Sequence, residues 1–590
     1  MKFNEQQRQA IQFYKGQCGV IAGAGSGKST VLVNRIKNLI EKHNEKEEDI
    51  LAISFTNNTA KELKKKLNKM GYKNVNVGTF HNICARILLE NNIDAYAKNK
   101  NIAEYEIENC FKRIDENVDI KDVKSFISYQ KNYLKSYKDE YMPKESKYTE
   151  EELRTYYKAY DTLMKNKQAY DFDDWLIECY KIIKKNPYYF KFVLIDEHQD
   201  SNLVQNLLLK EFCKKDKNIF CVFDYRQAIY TFRGGNPEYC MNFNKDWKDA
   251  MIINLNINYR STKNIVNKAN NFIKKYYGDY TYYNDSIASN KKEGDIHIFT
   301  NTDRIEESEL IVNKIEDLIK SGENPKDIAV LYRLNSHSSY IEGELKRKNV
   351  PYEINNESSF FKRKEINGIM SYLRLIQNSY DDGAFENIFK LRNYPLSFFP
   401  NKLLSEIREN AGLHDFSLYE SFISMRYNKP YLNKNMKKFK EHINKLKIQK
   451  DKNISIERLI DNVISAFKFD EFLKHTYTNE EELEERIQSI DVLKSFIKGN
   501  NLENFIKYVY NTQNDKKHND GIKLMTIHSS KGLEFKNVFI VSIEDTKFPH
   551  KKSPIIDEAR LFYVGITRAK ENLYLSQIGE NNKFIEEFKK

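Results

Sequence analysis

The chain has 590 residues, of which 40% are hydrophobic and 31% are charged. This composition is typical of soluble globular proteins, and no uncharged apolar run approaches the ~18 residues that span a bilayer, so membrane, collagen-like and disordered proteins are excluded. At ~150 residues per domain, the length predicts about four domains. Lysine and arginine exceed aspartate and glutamate by 96 − 84 = 12 residues, a surplus that weakly favours a polyanionic partner.

The N-terminus and the cysteines both indicate a cytoplasmic protein. The first residues are polar from position 3 and lack the apolar core of a signal peptide, so we expect neither secretion nor a membrane partner. All seven cysteines precede residue 241, and their spacing contains no CxxC pair and fits no zinc or iron–sulfur pattern. We therefore predict buried, reduced thiols.

Short apolar strands alternate with amphipathic helices in the first half of the chain. The predicted strands are residues 18–22, 50–55, Phe192–Ile195, Ile219–Phe223 and Met251–Leu255. Residues from about 90 to 170 have a helical pattern instead. Strand, helix and strand in this order predict a parallel α/β sheet that carries a helical insertion.

The second half of the chain repeats this plan. Its predicted strands are Ile296–Phe299, Ile328–Tyr332, Lys523–Thr526, Val538–Ser542 and Leu573–Ser576, with a long helical stretch between the second and the third. Within that stretch, the lysine-rich segment 434–452 places Met436, Phe439, Ile443 and Leu446 at helical spacing, which predicts a solvated face for its lysines. Contact of these lysines with phosphate is the alternative.

A phosphate-binding loop is predicted at Ala22-Gly-Ala-Gly-Ser-Gly-Lys-Ser29, which follows a strand and opens a helix. Its glycines let backbone N–H groups turn toward phosphates, and the helix N-terminus adds the positive end of its dipole. Lys28 would reach the β- and γ-phosphates, and the Ser29 hydroxyl would bind Mg²⁺. The strict pattern begins with glycine where Ala22 stands. The predicted nucleotide-contacting positions are Ala22, Gly23, Ala24, Gly25, Ser26, Gly27, Lys28, Ser29 and Thr30.

A second predicted strand ends in acidic residues, in the sequence Val193-Leu-Ile-Asp-Glu-His-Gln-Asp200. Asp196 would hold the hydration shell of Mg²⁺, and Glu197 would orient and deprotonate the attacking water. An Asp-Glu pair after a strand is common at protein surfaces. Downstream of a phosphate loop, the pair favours ATP hydrolysis.

Six motifs occur in the order found in the UvrD/PcrA/Rep family of superfamily 1 DNA helicases, which the chain therefore resembles. They are AGAGSGKS, LIDEHQD, FDYRQAIYTFRGG (223–235), NYRST (258–262), MTIHSSKGLEF (525–535) and LFYVGITRA (561–569). Further similarity lies in FNEQQRQAI (3–11), SFTNNTAKEL (54–63), VGTFH (77–81) and FFKRKEINGIMSYLRLI (360–376). The resemblance covers both α/β cores and extends only loosely to the two helical insertions.

The resemblance implies an α/β protein with two RecA-like, parallel-sheet P-loop cores, each interrupted by a mostly helical insertion. The implied bounds are 1–89 and 171–255 for the first core, 90–170 for its insertion, 256–375 and 522–590 for the second core, and 376–521 for its insertion. Only residues 569–590 follow Arg568, so we expect no C-terminal nuclease domain and no long tail.

The resemblance also implies roles in the nucleotide site. Gln7 aligns with the glutamine that recognises adenine, Tyr259 with the tyrosine that stacks on the base, and Glu534 with a ribose contact. Arg260 and Arg568 align with two arginines that reach the γ-phosphate, and Gln227 aligns with a γ-phosphate sensor coupled to the DNA side. Thr30 stands where the family has an arginine that stacks on adenine, which bears on base affinity or selectivity.

A single-stranded DNA track is implied by aligned aromatic and polar residues. Phe55, Tyr230 and Phe232 align with residues that stack on bases, with Arg233 and His528 beside them, and Thr79 and His81 align with backbone contacts. The family commonly has tryptophan where Phe232 stands, and the alternative for Phe232 is a place in the core. In the second insertion, the stretch Tyr394–Pro400 lacks the Gly-Ile-Gly turn with which relatives contact duplex DNA.

The implied function is an ATP-dependent DNA helicase that moves 3′→5′ on single-stranded DNA, with ATP and Mg²⁺ as cofactors and single/double-strand junctions as substrates. One alternative is a DNA-stimulated translocase that unwinds poorly alone and serves a partner such as a nuclease or a repair or defence factor. A non-catalytic DNA-binding scaffold is opposed by Lys28, Asp196, Glu197 and Arg568. Repair, replication restart, plasmid replication and phage defence stay open as pathways, as do processivity and oligomeric state.

Overall fold

The computed structural model describes residues 3–116, 118–354, 360–400, 402–477, 480–497, 499–513 and 520–590. The chain forms two compact units, which we call unit 1 (Met1–Thr300 and Ile527–Lys590) and unit 2 (Asn301–Thr526). The bounds of the four predicted domains stay a prediction. The first of these bounds, residue 1, lies outside the described residues.

The strands are numbered in chain order. They are β1 (Gln17–Ala22), β2 (Ile50–Ile53), β3 (Asn76–Gly78), β4 (Phe192–Ile195), β5 (Ile219–Phe223), β6 (Met251–Leu255), β7 (Ile257–Asn258), β8 (Ile287–Ala288), β9 (Asp295–Asn301), β10 (Ile328–Tyr332), β11 (Tyr352–Ile354), β12 (Ile522–Thr526), β13 (Phe535–Glu544) and β14 (Ala569–Ile578). Each strand predicted from the sequence is present, and β4, β5, β6 and β10 have the predicted bounds.

The helices of unit 1 are α1 (Glu5–Gln12), α2 (Lys28–His43), α3 (Asn57–Lys69), α4 (Phe80–Glu90), α5 (Ala95–Lys100), α6 (Glu104–Lys112), α7 (Ile120–Asn132), α8 (Glu150–Asn166), α9 (Phe172–Lys185), α10 (Leu203–Phe212), α11 (Glu238–Met241), α12 (Phe243–Asp246) and α13 (Lys263–Tyr277). Those of unit 2 are α14 (Arg304–Lys320), α15 (Ser338–Arg347), α16 (Lys364–Gln377), α17 (Asp382–Leu391), α18 (Leu403–His414), α19 (Leu418–Ser424), α20 (Pro430–Asp451), α21 (Ile456–Ala466), α22 (Phe469–Thr476), α23 (Glu480–Ser495) and α24 (Leu502–Gln513). Unit 1 ends with α25 (Ile555–Ile566) and α26 (Lys583–Lys589).

A parallel sheet of six strands, in the order β3-β2-β4-β5-β1-β6, forms the centre of unit 1. Parallel strands are covered on both faces, so their sequences are continuous runs of apolar residues. Strands β2, β4 and β5 are accordingly buried along their whole length. The apolar stripe of α2, with Val31, Leu32, Ile36 and Leu39, packs into the same core. The loops that leave β1, β4, β5 and β6 carry the predicted motifs, so these motifs meet at the carboxyl edge of the sheet.

A helical subdomain interrupts this core, as the sequence predicts. Helices α6, α7 and α8 share a small core of their own that includes Phe111, Val123, Ile127 and Tyr160. Unit 1 also contains the parallel pair β13–β14, with β9 next to β14. The predicted burial of the cysteines is confirmed for six of them, whereas Cys110 is half-buried.

Unit 2 has three parallel strands, with β12 between β10 and β11, and a large helical layer. The buried residues of α16 to α24 form one core. Helix α20 buries Met436, Phe439, Ile443 and Leu446, as their spacing predicts. The mixed α/β architecture with parallel strands and helical insertions is therefore confirmed. Within the described ranges, no helix combines the length and the apolar character needed to cross a membrane.

Candidate nucleotide site and DNA-binding surface

The phosphate loop has a backbone that only glycine accommodates without strain. Gly25 and Gly27 have φ angles of +69° and +84°, in the left-handed region. A Cβ on Gly25 would lie 2.6 Å from Cβ of Arg260, and a Cβ on Gly27 would lie 3.0 Å from Nε2 of Gln7. Helix α2 begins at Lys28, and no described side chain caps its N-terminus. The N–H groups of its first turn are therefore available to an anion.

The two acidic residues after β4 lie opposite the loop lysine. Nζ of Lys28 is 3.5 Å from Oε1 of Glu197, and the backbone N–H of Asp196 donates to the carbonyl of Ile53 at 2.9 Å. Burial and the adjacent Glu197 raise the pKa of Asp196. Burial also opposes ionisation of Glu197, but Lys28 and Lys531 outweigh it and lower the pKa of that carboxyl. Glu197 is therefore held as the carboxylate, the form that can accept a proton.

A chain of hydrogen bonds joins Glu197 to Arg568. The side-chain amide of Gln199 donates to Glu197 and accepts the backbone N–H of Asp224 at 3.0 Å. Nε2 of Gln227 donates to Oδ2 of Asp224 at 2.7 Å, and Nη2 of Arg568 donates to Oε1 of Gln227 at 3.0 Å. The structure thus brings together Glu197, Gln227 and Arg568, three predicted site residues that lie far apart in the sequence.

Arg568 is 2% exposed and is held by the backbone around it. Its Nε donates to the carbonyl of Val564 at 3.0 Å, and its Nη1 donates to that of Leu533 at 3.1 Å. Burial, together with nearby Arg260, lowers the pKa of the guanidinium to about 9. Among the described residues no carboxylate forms an ion pair with Arg568, and a buried charge of this kind is costly unless a ligand anion compensates it.

Arg260 is brought to the same region by the segment after β7. Its Nε donates to Oε2 of Glu534 at 2.7 Å, and its Nη1 donates to the carbonyl of Thr567 at 3.0 Å. Glu534 also pairs with Lys570 at 2.8 Å. Burial raises the pKa of Glu534, but Lys570 and Arg260 outweigh it and lower the pKa overall. Arg260 and Glu534, both predicted site residues, are therefore direct partners.

The residues predicted to bind the base flank the phosphate loop. Nε2 of Gln7 donates to the carbonyl of Ser26 at 3.1 Å, and the backbone N–H of Tyr259 donates to the carbonyl of Gly25 at 2.9 Å. The Tyr259 side chain is 48% exposed, and its hydroxyl accepts a hydrogen bond from Nδ2 of Asn4 at 2.9 Å. Thr30 is half-buried in the first turn of α2.

The residues around the loop fit a nucleoside triphosphate with Mg²⁺. Oγ of Ser26 is buried and is among the side-chain atoms that have no partner in the described residues. The Ser29 hydroxyl is exposed at the start of α2, and Asp196 ends the neighbouring strand. Among the described residues, no group of three or more His, Cys, Asp or Glu side chains is arranged to hold a metal.

Lys531 is a site residue to which sequence reasoning gave no role, although it lies within the motif 525–535. Its ammonium bonds the side chain of Asp200 and donates to the carbonyl of Gln227 at 2.8 Å. It also lies 3.8 Å from Oε2 of Glu197 and 5.2 Å from the centre of the Tyr230 ring. One lysine therefore contacts both the acidic residues and the predicted DNA track.

The predicted track begins as a row of aromatic rings. Phe55 and Tyr230 are stacked with ring centres 5.1 Å apart, and Tyr230 is 6.2 Å from Phe232. His528 meets Phe232 edge-on at 5.9 Å, and the guanidinium of Arg233 lies 5.4 Å from the Phe232 ring. Phe232 is 53% exposed, which excludes a core position.

The rings of Phe55, Tyr230 and Phe232 line a cleft with a volume of about 1,150 Å³. Two other predicted track residues, Thr79 and His81, line the same cleft. Thr79 is buried and caps α4, where its hydroxyl donates to Asn82 at 2.8 Å. His81 meets Phe172 edge-on at 5.8 Å, and burial lowers its pKa. Phe172 is 58% exposed and was not predicted. It stands four residues before the buried Leu176, and residues at this spacing share one face of a helix, so the sequence pattern does not distinguish it from a core residue.

In unit 2, the stretch Tyr394–Pro400 lies beside the lysine-rich helix α20. Phe398 is 58% exposed and meets Tyr431 edge-on at 6.4 Å. Nζ of Lys438 donates to the hydroxyl of Tyr394 at 3.2 Å, and that of Lys429 lies 5.8 Å from the Tyr431 ring. Aromatic and basic side chains therefore share the surface at the stretch that lacks the Gly-Ile-Gly turn.

A glycine loop at the carboxyl edge of a parallel sheet, with acidic residues on the neighbouring strand, defines the chain as a P-loop α/β protein. Residues 3–248 match the UvrD/REP helicase N-terminal domain, and residues 253–580 match the UvrD-like helicase C-terminal domain. The chain belongs to the UvrD/Rep/PcrA family and is an ATP-dependent DNA helicase of that type.

Two similar proteins illustrate this membership. The ATP-dependent DNA helicase Rep of Buchnera aphidicola subsp. Acyrthosiphon pisum is 30% identical over 620 residues, which cover 98% of this chain and 95% of Rep. The ATP-dependent DNA helicase PcrA of Staphylococcus aureus strain Mu50 is 30% identical over 623 residues, which cover 97% of this chain and 83% of PcrA. The similarity therefore extends over both units.

Proposed function

We propose that this helicase moves 3′→5′ along single-stranded DNA and unwinds duplex DNA at single/double-strand junctions, in the cytoplasm. ATP hydrolysis occurs between the phosphate loop, Glu197 and Arg568. The observation that carries the proposal is the hydrogen-bonded chain from Glu197 through Gln227 to Arg568. These hydrogen bonds support a site in which the catalytic base, Glu197, and Arg568 are held in a fixed arrangement.

Binding of ATP uses groups that the fold presents at the start of α2. The N–H groups of the loop and the Lys28 ammonium hold the phosphates, while Gln7 and Tyr259 contact the base. Bound Mg²⁺ would neutralise charge on the phosphate oxygens, with Ser29 and Asp196 as its protein contacts. The neighbouring loop residues Ala22, Gly23 and Ala24 bring the backbone close to the phosphates.

Hydrolysis needs a base, a water and compensation of negative charge. The Glu197 carboxylate accepts a proton from the attacking water, whose oxygen bonds the γ-phosphorus while the bond to the bridging oxygen breaks. The side-chain amide of Gln199 donates to Glu197 and so fixes its orientation. Arg568 and Arg260 stabilise the charge that develops on the transferred phosphoryl group, and Gln227 orients Arg568.

Coupling to DNA follows from the position of Lys531. Its ammonium contacts Asp200 and the backbone of Gln227, and it lies over the ring of Tyr230. A base that displaces or reorients Tyr230 therefore acts on a lysine that also faces Glu197. If bound DNA favours one position of the Lys531 side chain over another, strand binding is linked to hydrolysis.

An unwinding assay tests the proposal. Duplexes with a 3′ or a 5′ single-stranded tail are incubated with the protein and ATP, and strand separation is compared with that of the Glu197→Gln variant. We expect unwinding of the 3′-tailed duplex only, and none by the variant. DNA-stimulated hydrolysis without unwinding would favour the alternative of a translocase that serves a partner protein. Unwinding of the 5′-tailed duplex alone would contradict the proposed direction.

A further inference from the structure

The loop between α7 and α8, residues 133–149, places Lys144 against the turn that carries Phe232. Nζ of Lys144 is 3.5 Å from the carbonyl oxygen of Phe232 and donates to Oγ of Ser125 at 2.8 Å. It also lies 4.9 Å from the centre of the Tyr129 ring. The helical insertion of unit 1 thus places an ammonium group at the turn that carries Phe232 of the predicted DNA track.

The charge of this ammonium is not matched by a close carboxylate. Its contacts are a hydroxyl, a carbonyl and an aromatic face, all of them neutral, and no described carboxylate lies within 4.0 Å of it. Burial lowers the pKa of Lys144, and the more distant Asp122 opposes that shift. By contrast, two other lysines of the insertion are paired, Lys124 with Glu104 and Lys147 with Asp119 at 3.0 Å.

A second cation lies at the same turn. The Arg233 guanidinium is 5.4 Å from the centre of the Phe232 ring and 5.6 Å from that of Tyr230, and no ion pair occupies it within the described residues. The carbonyl of Arg233 accepts a hydrogen bond from Asn132 of α7 at 3.4 Å. The turn that carries the exposed Phe232 ring therefore has two cations, Arg233 of the core at the ring and Lys144 of the insertion at the backbone carbonyl.

We propose that Lys144 is a DNA-binding residue that contacts a backbone phosphate of the single strand, next to the base that stacks on Phe232. Single-strand sites combine aromatic platforms with cations that follow the backbone, and an ammonium without a carboxylate partner at the edge of a platform has that chemistry. The inference rests on the proposed DNA track and adds the helical insertion to it.

Salt dependence distinguishes a phosphate contact from a structural role. Equilibrium binding of fluorescent oligo(dT) is measured by anisotropy between 50 and 200 mM salt for the wild type and for Lys144→Met. Loss of one phosphate contact on a single strand lowers the slope of log affinity against log salt by about 0.7. The affinity deficit of the variant should therefore shrink about 2.5-fold across this range.

Matched variants make the result specific. Lys144→Arg keeps the charge and should retain the wild-type slope, while Lys144→Gln replaces Lys144→Met if the latter melts early. Lys138→Met is the control, because Lys138 is exposed on the same loop, and its ammonium lies 5.6 Å from the centre of the Tyr137 ring. Its salt slope should equal that of the wild type.

Phe232→Ala, measured in parallel, separates this inference from the function on which it rests. If Phe232→Ala binds DNA as the wild type does, the proposed track is wrong. If Phe232→Ala weakens binding but Lys144→Met retains the wild-type slope, the phosphate contact is wrong and the track stands. Weaker binding by Lys144→Met at an unchanged slope also overturns the phosphate contact, because it would assign Lys144 to positioning the turn.

Discussion

Nη2 of Arg568 donates a hydrogen bond to Oε1 of Gln227 over 3.0 Å, although 341 positions separate the two residues in the chain. The opposite end of the Gln227 amide donates to Asp224, so both ends of the amide are satisfied and its orientation is fixed. The arginine is thereby aimed from the end of α25 toward the loop that follows β5. We therefore expect a nucleotide-dependent movement of Arg568 to act on the segment that carries Tyr230 and Phe232.

Replacement of Arg568 should separate hydrolysis from strand binding. We expect Arg568→Ala to lower DNA-stimulated ATP turnover by about 10³-fold or more, since an arginine finger contributes that much to phosphoryl transfer. Binding of single-stranded DNA without nucleotide should stay near the wild-type level. Turnover and anisotropy measurements on the same preparation check this, with thermal melting as the folding control. Loss of strand affinity together with turnover would place Arg568 on the DNA surface instead.

Replacement of Glu197 tests the catalytic base. Glu197→Gln keeps the shape of the side chain and a carbonyl that accepts the hydrogen bond from Gln199, but it cannot take a proton. Turnover should fall by about 10²-fold or more with binding of Mg·ATP retained. Steady-state kinetics and titration with a fluorescent nucleotide measure the two effects. Near-wild-type turnover would remove Glu197 from this role.

Replacement of Lys531 tests the link between the DNA track and the base. Lys531→Met removes an ammonium that contacts Asp200, Gln227 and the Tyr230 ring. We expect the ratio of turnover with DNA to turnover without DNA to fall by about 5-fold or more, the lower range of coupling between sites. Lys536→Met, which removes a surface pair with Glu571 at 3.9 Å, is the control. A wild-type ratio for Lys531→Met would show that coupling runs elsewhere.

Replacement of Tyr259 tests whether its ring stacks on the adenine base of ATP. Tyr259→Ala should raise KM for ATP by about 5- to 100-fold, because a base stacked on an aromatic contributes ~1–3 kcal/mol. Tyr259→Phe keeps the ring but loses the hydrogen bond from Asn4, so its KM should lie between those of Tyr259→Ala and the wild type. DNA affinity is the internal control. An unchanged KM for Tyr259→Ala would exclude Tyr259 as the platform.

Phe232 tests stacking in the DNA track. Phe232→Ala should weaken single-strand affinity by about 5- to 100-fold at an unchanged salt slope, whereas Phe232→Trp should retain binding. Thermal stability should barely change, because the ring is 53% exposed, and only a buried Phe→Ala costs about 3–5 kcal/mol. Early melting of the alanine variant, with DNA affinity lost only through unfolding, would contradict the assignment.

Much of the fold was predictable because buried parallel strands are short apolar runs that end at functional loops. Asp196 follows β4 directly, and Asp224 follows β5, so the strand pattern alone places them at one edge of the sheet. Strands β3, β7, β8 and β11 were not predicted. Strands β7 and β8 have two residues each and β3 and β11 have three each, and all four carry half-buried positions, so none of them forms an apolar run.

The contacts within the site were less predictable, because they join residues far apart in the sequence. No local pattern pairs Lys531 with Asp200 or places Lys144 against the Phe232 carbonyl. Phe172 was not predicted either: it stands four residues before the buried Leu176, and its position at the first turn of α9 leaves the ring exposed. The roles of the aligned residues stay predictions that the variants above can test.

We propose that ATP hydrolysis at the Glu197–Arg568 site depends on single-stranded DNA in the track. Steady-state hydrolysis by the wild-type protein, measured while oligo(dT) is titrated, tests it most directly. We predict that turnover rises about tenfold or more, within the range of coupling between two sites, and saturates with the anisotropy binding curve. A rate of hydrolysis that is independent of DNA at saturating occupancy would show that the site is not coupled to the track.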